Sequence, residues 1–159
     1  MVQCLYKDIE NCECEWNGLE SDLVPHMIQS HEVFSYSTSF NNKILLELVL
    51  DLENSGCRFV VIDFLKDNQE ITSIFEEIFD ESSKLFKLIL RSPNSPGTSY
   101  KISLQGKTSS ISYTGQMAGI DKSEQKAVQD CLQVHQAQLQ RFSYIENQES
   151  MYKVLLSIE

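Results

Sequence analysis

The spacing of apolar positions changes after His31. Before it, the stretch LVPHMIQS from Leu23 to Ser30 reads as a short helix. The acids Glu20 and Asp22 suit its N-terminus, and Pro25 suits its first turn. After His31 the period falls to two. Phe34, Tyr36, Thr38 and Phe40 alternate with Ser and Asn, which predicts a half-buried strand or ribbon. Ile44, Leu46, Leu48 and Leu50 take one face of the next run, with Glu47 and Asp51 on the other. Asn54-Ser55-Gly56 marks a turn, and the near-continuous apolar run Phe59 to Leu65 predicts a strand covered on both faces. LFKLIL, from Leu85 to Leu90, is a further strand, and Pro93 to Gly97 a loop. YKISL and SSISY flank Gln105-Gly106-Lys107-Thr108 as a hairpin, and MYKVLLSI closes the chain with renewed alternation.

Two stretches depart from the strand pattern. Ile71, Ile74, Phe75 and Ile78 stand at helical spacing with acids between them, which predicts a helix over 71–79. Ser123 to Phe142 is rich in Gln and Ala, with Cys131 to Val134 able to form a brief strand. Many strands with one or two short helices describe a mainly β chain, an antiparallel β-sandwich. The change in texture divides the sequence into residues 1–33 and 34–159.

A chain of 159 residues can bury one sizeable core and carry one small metal-stapled appendage. No apolar run approaches the roughly 18 residues of a membrane-spanning helix, so no membrane partner is expected. The charge is uneven. Residues 1–83 carry seventeen acids and four bases, a net −13, and the remainder six acids and nine bases, a net +3. Phosphate recognition needs clustered Lys and Arg, so nucleic acid is excluded as a partner, whereas a basic peptide suits such a surface. The five cysteines, Cys4, Cys12, Cys14, Cys57 and Cys131, are odd in number and crowd towards one end. That distribution predicts a reducing compartment, hence a cytoplasmic or also nuclear location.

The sequence CEWNGLESDLVPHMIQSH spaces Cys14, His26 and His31 as C-x11-H-x4-H. Zinc takes thiolate and imidazole donors in a tetrahedron, commonly two from a loop and two from a helix. Cys4 is the favoured fourth ligand and Cys12 the alternate. Four protein ligands leave no open position, so Zn2+ here is structural. So short a module cannot bury a core of its own, and zinc would contribute roughly 10–16 kcal/mol of its folding energy. Seven acids against one Lys in residues 1–33 make it a poor DNA-reading finger.

Catalytic readings are weak. His135 with Cys57 or Cys131 lacks any Gly-rich oxyanion turn nearby. Glu76-Glu77 and Asp80-Glu81 read as a solvated face rather than an acid–base pair. No glycine-rich phosphate loop is present.

CEWNGLESDLVPHMIQSH resembles the second SIAH-type zinc finger of the seven-in-absentia family in Cys14, Trp16, Gly18, Leu23, His26 and His31. SYKISLQGKTSSISYTG is similar to that family's strand, Gly turn and aromatic return strand. The closing segment, from Asp130-Cys131-Leu132 to the final alternating strand, is similar to its C-terminal part. The resemblance implies a TRAF-like antiparallel β-sandwich that binds short extended peptides of target proteins, acts in ubiquitin-dependent degradation, and forms a homodimer or heterodimer. The short Asp51 to Cys57 turn leaves little chain to cover the Lys43 to Leu50 strand, so the peptide-binding edge is expected there, at Ile44, Leu46, Glu47 and Leu48. The resemblance also implies a RING-bearing paralogue among the partners. A RING needs eight metal ligands, and the chain has five Cys and three His, four of them used in the finger. Autonomous ligase activity is therefore not expected. Two departures from the family, the short Asp51 to Cys57 connection and the long acidic stretch Asp67 to Ser83, imply a peptide specificity that is altered or lost. The alternative is a structural dimerisation or scaffold module without peptide docking.

Overall fold

The computed structural model describes residues 1–7, 9, 12–38, 42–53, 56–120 and 131–159. The expectations placed on Phe40, Asn54, Ser55, residues 123–129 and Asp130 lie outside them. A small ribbon of β1 (Val2–Gln3) and β2 (Asn17–Gly18) precedes α1 (Glu20–His31). The helix begins three residues earlier than the pattern predicted. Pro25 therefore lies inside it rather than in its first turn, where its missing N–H forgoes one bond to the Ser21 carbonyl.

The rest is mainly β. One sheet contains β3 (Phe34–Ser37), β5 (Gly56–Lys66), β6 (Gln69–Asp80), β7 (Leu85–Arg91) and β10 (Leu132–His135), in the order β10-β7-β6-β5-β3. The other contains β4 (Lys43–Val49), β8 (Ser99–Gln105), β9 (Ser110–Gln116), β11 (Tyr144–Glu146) and β12 (Glu149–Ile158). Its order is β11-β12-β8-β9, with β4 also paired to β12. The pairs are antiparallel apart from β3 with β5, which is parallel and so departs from the purely antiparallel sandwich expected. The hairpin between β5 and β6 turns through Asp67 and Asn68, both at positive φ as a two-residue turn requires. The short helix α2 (Gln136–Arg141) follows β10.

Two apolar clusters hold these layers. Val60, Ile62 and Phe64 of β5, Phe75 and Phe79 of β6, and Phe86 and Leu88 of β7 meet Leu46, Ile102, Tyr152 and Val154 of the opposite sheet. The second cluster lies on the outer face of the first sheet. There Phe59, Val61 and Ile74 pack with Leu23 and Met27 of α1 and with Val33. Both faces of β5 are thus covered, which explains its unbroken apolar run.

The same double coverage corrects the helix expected over 71–79. That segment is part of β6. Ile71, Phe75 and Phe79 point into the sandwich while Ile74 points to the outer cluster, and the two apolar faces together imitate helical spacing. No helix among the described residues is long and apolar enough to cross a membrane.

Candidate metal centre and the groove beside it

The β1–β2 ribbon sets one pair of donors. Val2 pairs with Gly18 and Gln3 with Asn17, and the Cys4 N–H continues the ladder to the Trp16 carbonyl at 3.2 Å. This brings Cys4 next to the strand that leads out of Cys14, while α1 supplies His26 and His31. Cys4 Sγ lies 3.4 Å from His31 Nε2, and Cys14 Sγ lies 3.3 Å from His26 Nε2. All four donor atoms fall within 4.8 Å of one another. Tetrahedral zinc with its usual bond lengths puts sulfur and nitrogen about 3.5 Å apart, so the donors fit a single ion. Cys12 is exposed and does not join the group.

Burial pushes the Cys4 thiol up to about 11, and the neighbouring Cys14 adds to the shift. Burial also pulls both imidazoles below their usual value, with His31 adding to the effect on His26. Neutral imidazoles are ready ligands. The thiols must lose protons to bind, a loss that a cation drives.

An aromatic shell orients the ligands. Trp16 stacks on His26 with centroids 4.6 Å apart and planes 10° apart, and Tyr6 stacks on His31 in the same way at 4.1 Å. The Tyr6 N–H also reaches Cys4 Sγ at 3.5 Å. Gly18 is required here, because a Cβ on it would stand 2.5 Å from the Trp16 ring.

His31 ends α1, Glu32 reverses the chain in the left-handed conformation, and β3 starts at Phe34. His31 is thereby tied to one wall of a groove of about 940 Å3, opened between β3 and β4. Tyr6, His31 and Glu32 close one part of it, Phe34 and Tyr36 form one side, and Leu45, Glu47 and Val49 the other. Phe34 is 72% exposed, Leu45 48% and Tyr36 44%, an unusual amount of bare apolar surface in one place. The half-buried strand predicted from Phe34 onward is thus corrected: its aromatics face the groove, not the core.

The strand β4 lies at its sheet's edge, with β12 its one partner among the described residues. The side chains expected to line the edge divide. Leu46 and Leu48 are buried in the sandwich core and Ile44 packs against it, so of that set Glu47 alone points outward. The residues the sequence reading missed are Leu45 and Val49.

Backbone polarity follows the same alternation. The Leu50 N–H donates to the Ser150 carbonyl and the Ile158 N–H to the Asn42 carbonyl, so even-numbered residues of β4 bond towards β12. Lys43, Leu45, Glu47 and Val49 therefore direct their N–H and C=O groups outward.

Arg58, on β5, crosses the end of the groove. Its Nη2 donates to the Val49 carbonyl at 2.8 Å and to both carboxylate oxygens of Glu77, at 2.8 and 2.9 Å. Glu77 also accepts the Tyr152 hydroxyl from the opposite sheet. Burial pushes the Glu77 carboxyl upward against the opposing pull of Arg58. Glu76 is buried too and pairs with Arg91 at 3.0 Å. These two glutamates are thus not a solvated face. Each is held by an arginine from a neighbouring strand.

The remaining candidates find structural uses. The His135 ring caps α2 by accepting the Ala137 N–H at 3.1 Å. Cys131 is buried, and burial pushes the Cys57 thiol well up beside Glu76. No family model and no curated protein matches the chain.

Proposed function

We propose that the chain is a zinc-stabilised protein-binding adaptor that docks a short extended peptide of a partner protein along the outer edge of β4. The observation that carries this reading is the outward row of backbone groups at Lys43, Leu45 and Glu47, facing a groove walled by exposed Phe34, Tyr36 and Leu45. An added strand pairs with such a row, and its alternate side chains enter the apolar walls. Glu32 and Glu47 lie on the groove walls, Glu47 in an exposed pair with Lys153 at 3.7 Å, while Arg58 is matched by the buried Glu77. The occupant therefore carries apolar side chains at alternate positions and a basic flank.

Two soft thiolates and two imidazoles favour zinc in the metal centre, in a structural role. The order of zinc module and two-sheet domain, with residues 1–33 and 34–159 as its parts, fits the substrate-receptor region of the seven-in-absentia ligases and a TRAF-like sandwich. On that reading the adaptor serves ubiquitin-dependent degradation through a RING-bearing partner.

The test is selection of a displayed library of random twelve-residue peptides on the immobilised zinc-loaded chain. Enriched sequences should combine alternating apolar residues with Lys or Arg, and Glu47→Lys should weaken them. Failure to enrich any peptide would sink the reading. Concentration-dependent dimerisation blocked by mutations on β4 would instead favour pairing with a second copy.

A further inference from the structure

We infer that Arg58 sets the register and the length of the docked segment by capping the end of the β4 edge. The inference rests on the proposed docking role and adds to it where pairing must stop.

In an antiparallel pair, each outward residue exchanges two hydrogen bonds with its partner, one through its N–H and one through its C=O. Leu45 and Glu47 have both groups directed outward for this purpose. Val49 directs its groups outward too, but its carbonyl is already engaged by Arg58 Nη2 at 2.8 Å, which leaves only its N–H for a docked strand. The guanidinium is not free to swing aside. Glu77, 7% exposed, holds it through both carboxylate oxygens and is itself held by the Tyr152 hydroxyl. Withdrawing Arg58 would strand a carboxylate inside the sandwich, a costly change. Full two-bond pairing therefore ends at Glu47, and the docked strand covers Lys43 to Glu47.

The geometry also assigns a chemistry to the ligand residue just beyond that strand. Among the described residues Arg58 Nη1 has no partner, and the side chain is 35% exposed on the groove wall. Its N–H groups suit an oxygen of the ligand as the peptide leaves the edge, a backbone carbonyl or a side-chain carboxylate.

The test uses peptides selected on the full chain, lengthened stepwise past the Glu47 pairing, with affinity and amide exchange read together. On the native chain affinity should level off once the Glu47 pair is made. The bound peptide's own amides opposite Leu45 and Glu47 should be protected, and its amide opposite Val49 should keep exchanging. In Arg58→Met/Glu77→Gln, which removes the buried charges together, the next pair should tighten binding roughly five-fold. The peptide amide opposite Val49 should then become protected. Thermal unfolding checks that this variant folds. If it does not, Arg58→Lys retains a counter-charge for Glu77 but cannot hold both Glu77 and the Val49 carbonyl, and it carries the same comparison. Protection of the peptide amide opposite Val49 on the native chain, or the same length profile in native and variant, overturns the inference while leaving docking intact. Failure to select any peptide overturns both.

Discussion

The ring of Tyr6 lies flat on that of His31, centroids 4.1 Å apart, and meets Phe59 edge-on at 4.8 Å. This candidate metal ligand is thus one contact removed from the outer face of the sheet. Residues 1–33 do not bury their apolar side chains among themselves alone. Leu23 and Met27 pack on Phe59, Val61 and Ile74, so the outer cluster is shared.

Stripping the metal with a chelator, or replacing His26 by Ala, should loosen α1 and re-expose that face. Each large apolar side chain returned to water costs roughly 1.5–3 kcal/mol. The sandwich should therefore melt several degrees lower, and an environment-sensitive apolar dye should bind more strongly to the stripped protein. Unchanged melting after complete metal removal would show that the two parts are energetically independent.

Gly18 offers a narrower probe of the metal shell. A methyl group there would meet the Trp16 ring at 2.5 Å and push it off His26, on which it now stacks. Partners that orient a ligand commonly alter metal affinity by about 10–100-fold. Gly18→Ala should weaken zinc binding within that range, measured by competition with a chromophoric chelator. Native affinity in the variant would mean that the indole packs without positioning the imidazole.

The Cys/His cluster was legible and the groove was not because their partners lie at different distances in sequence. His26 and His31 share one helix, and Cys14 enters the same segment, so spacing alone suggested a chelate. The sequence already favoured Cys4 over Cys12, and the β1–β2 ladder supplies the reason by placing Cys4 beside the strand leaving Cys14. On β4 the alternation is ambiguous, because Leu45 and Val49 are as apolar as Leu46 and Leu48. Only pairing with β12 decides which set is buried. The glutamates of β6 are a similar case. Their arginines stand opposite or nearby on β5 and β7, in registers that no local pattern encodes. A Glu-Glu pair inside an apolar run, flanked by strands each carrying an arginine, was the available signal.

The Tyr152 hydroxyl bond to Glu77 joins the two sheets inside the core. Removing that hydroxyl in Tyr152→Phe leaves the buried carboxylate one donor short, at a cost of about 1–3 kcal/mol. The carboxyl also gives stability a pH dependence of definite sign. Burial raises its folded-state value, so the folded chain holds this proton more tightly than the unfolded chain. That contribution is fully present below the unfolded value and is lost as pH rises through the folded one. Comparing urea unfolding from about pH 4 upward, Glu77→Gln should lack this decline. Parallel profiles for native and variant would show that Arg58 cancels the effect of burial.

Proline substitution along β4 tests the docking edge directly, and the parity of the strand decides where. Leu46 directs its N–H towards β12, as the Leu50 bond to Ser150 requires of even-numbered residues. Its side chain is 4% exposed within the core. Leu46→Pro therefore breaks a ladder bond and disturbs packing, and it should destabilise the fold by about 3 kcal/mol or more. It says nothing about docking. Leu45 directs its N–H away from β12, into the position an added strand would occupy, and its side chain is 48% exposed. Proline is tolerated at a strand edge where the missing donor faces solvent. Leu45→Pro should thus keep the native melting temperature within a few degrees while removing one donor from the edge. Loss of that bond and disturbance of the neighbouring pair should weaken a selected peptide by about ten-fold. If Leu45→Pro folds and binds such a peptide with native affinity, the partner docks elsewhere on the molecule.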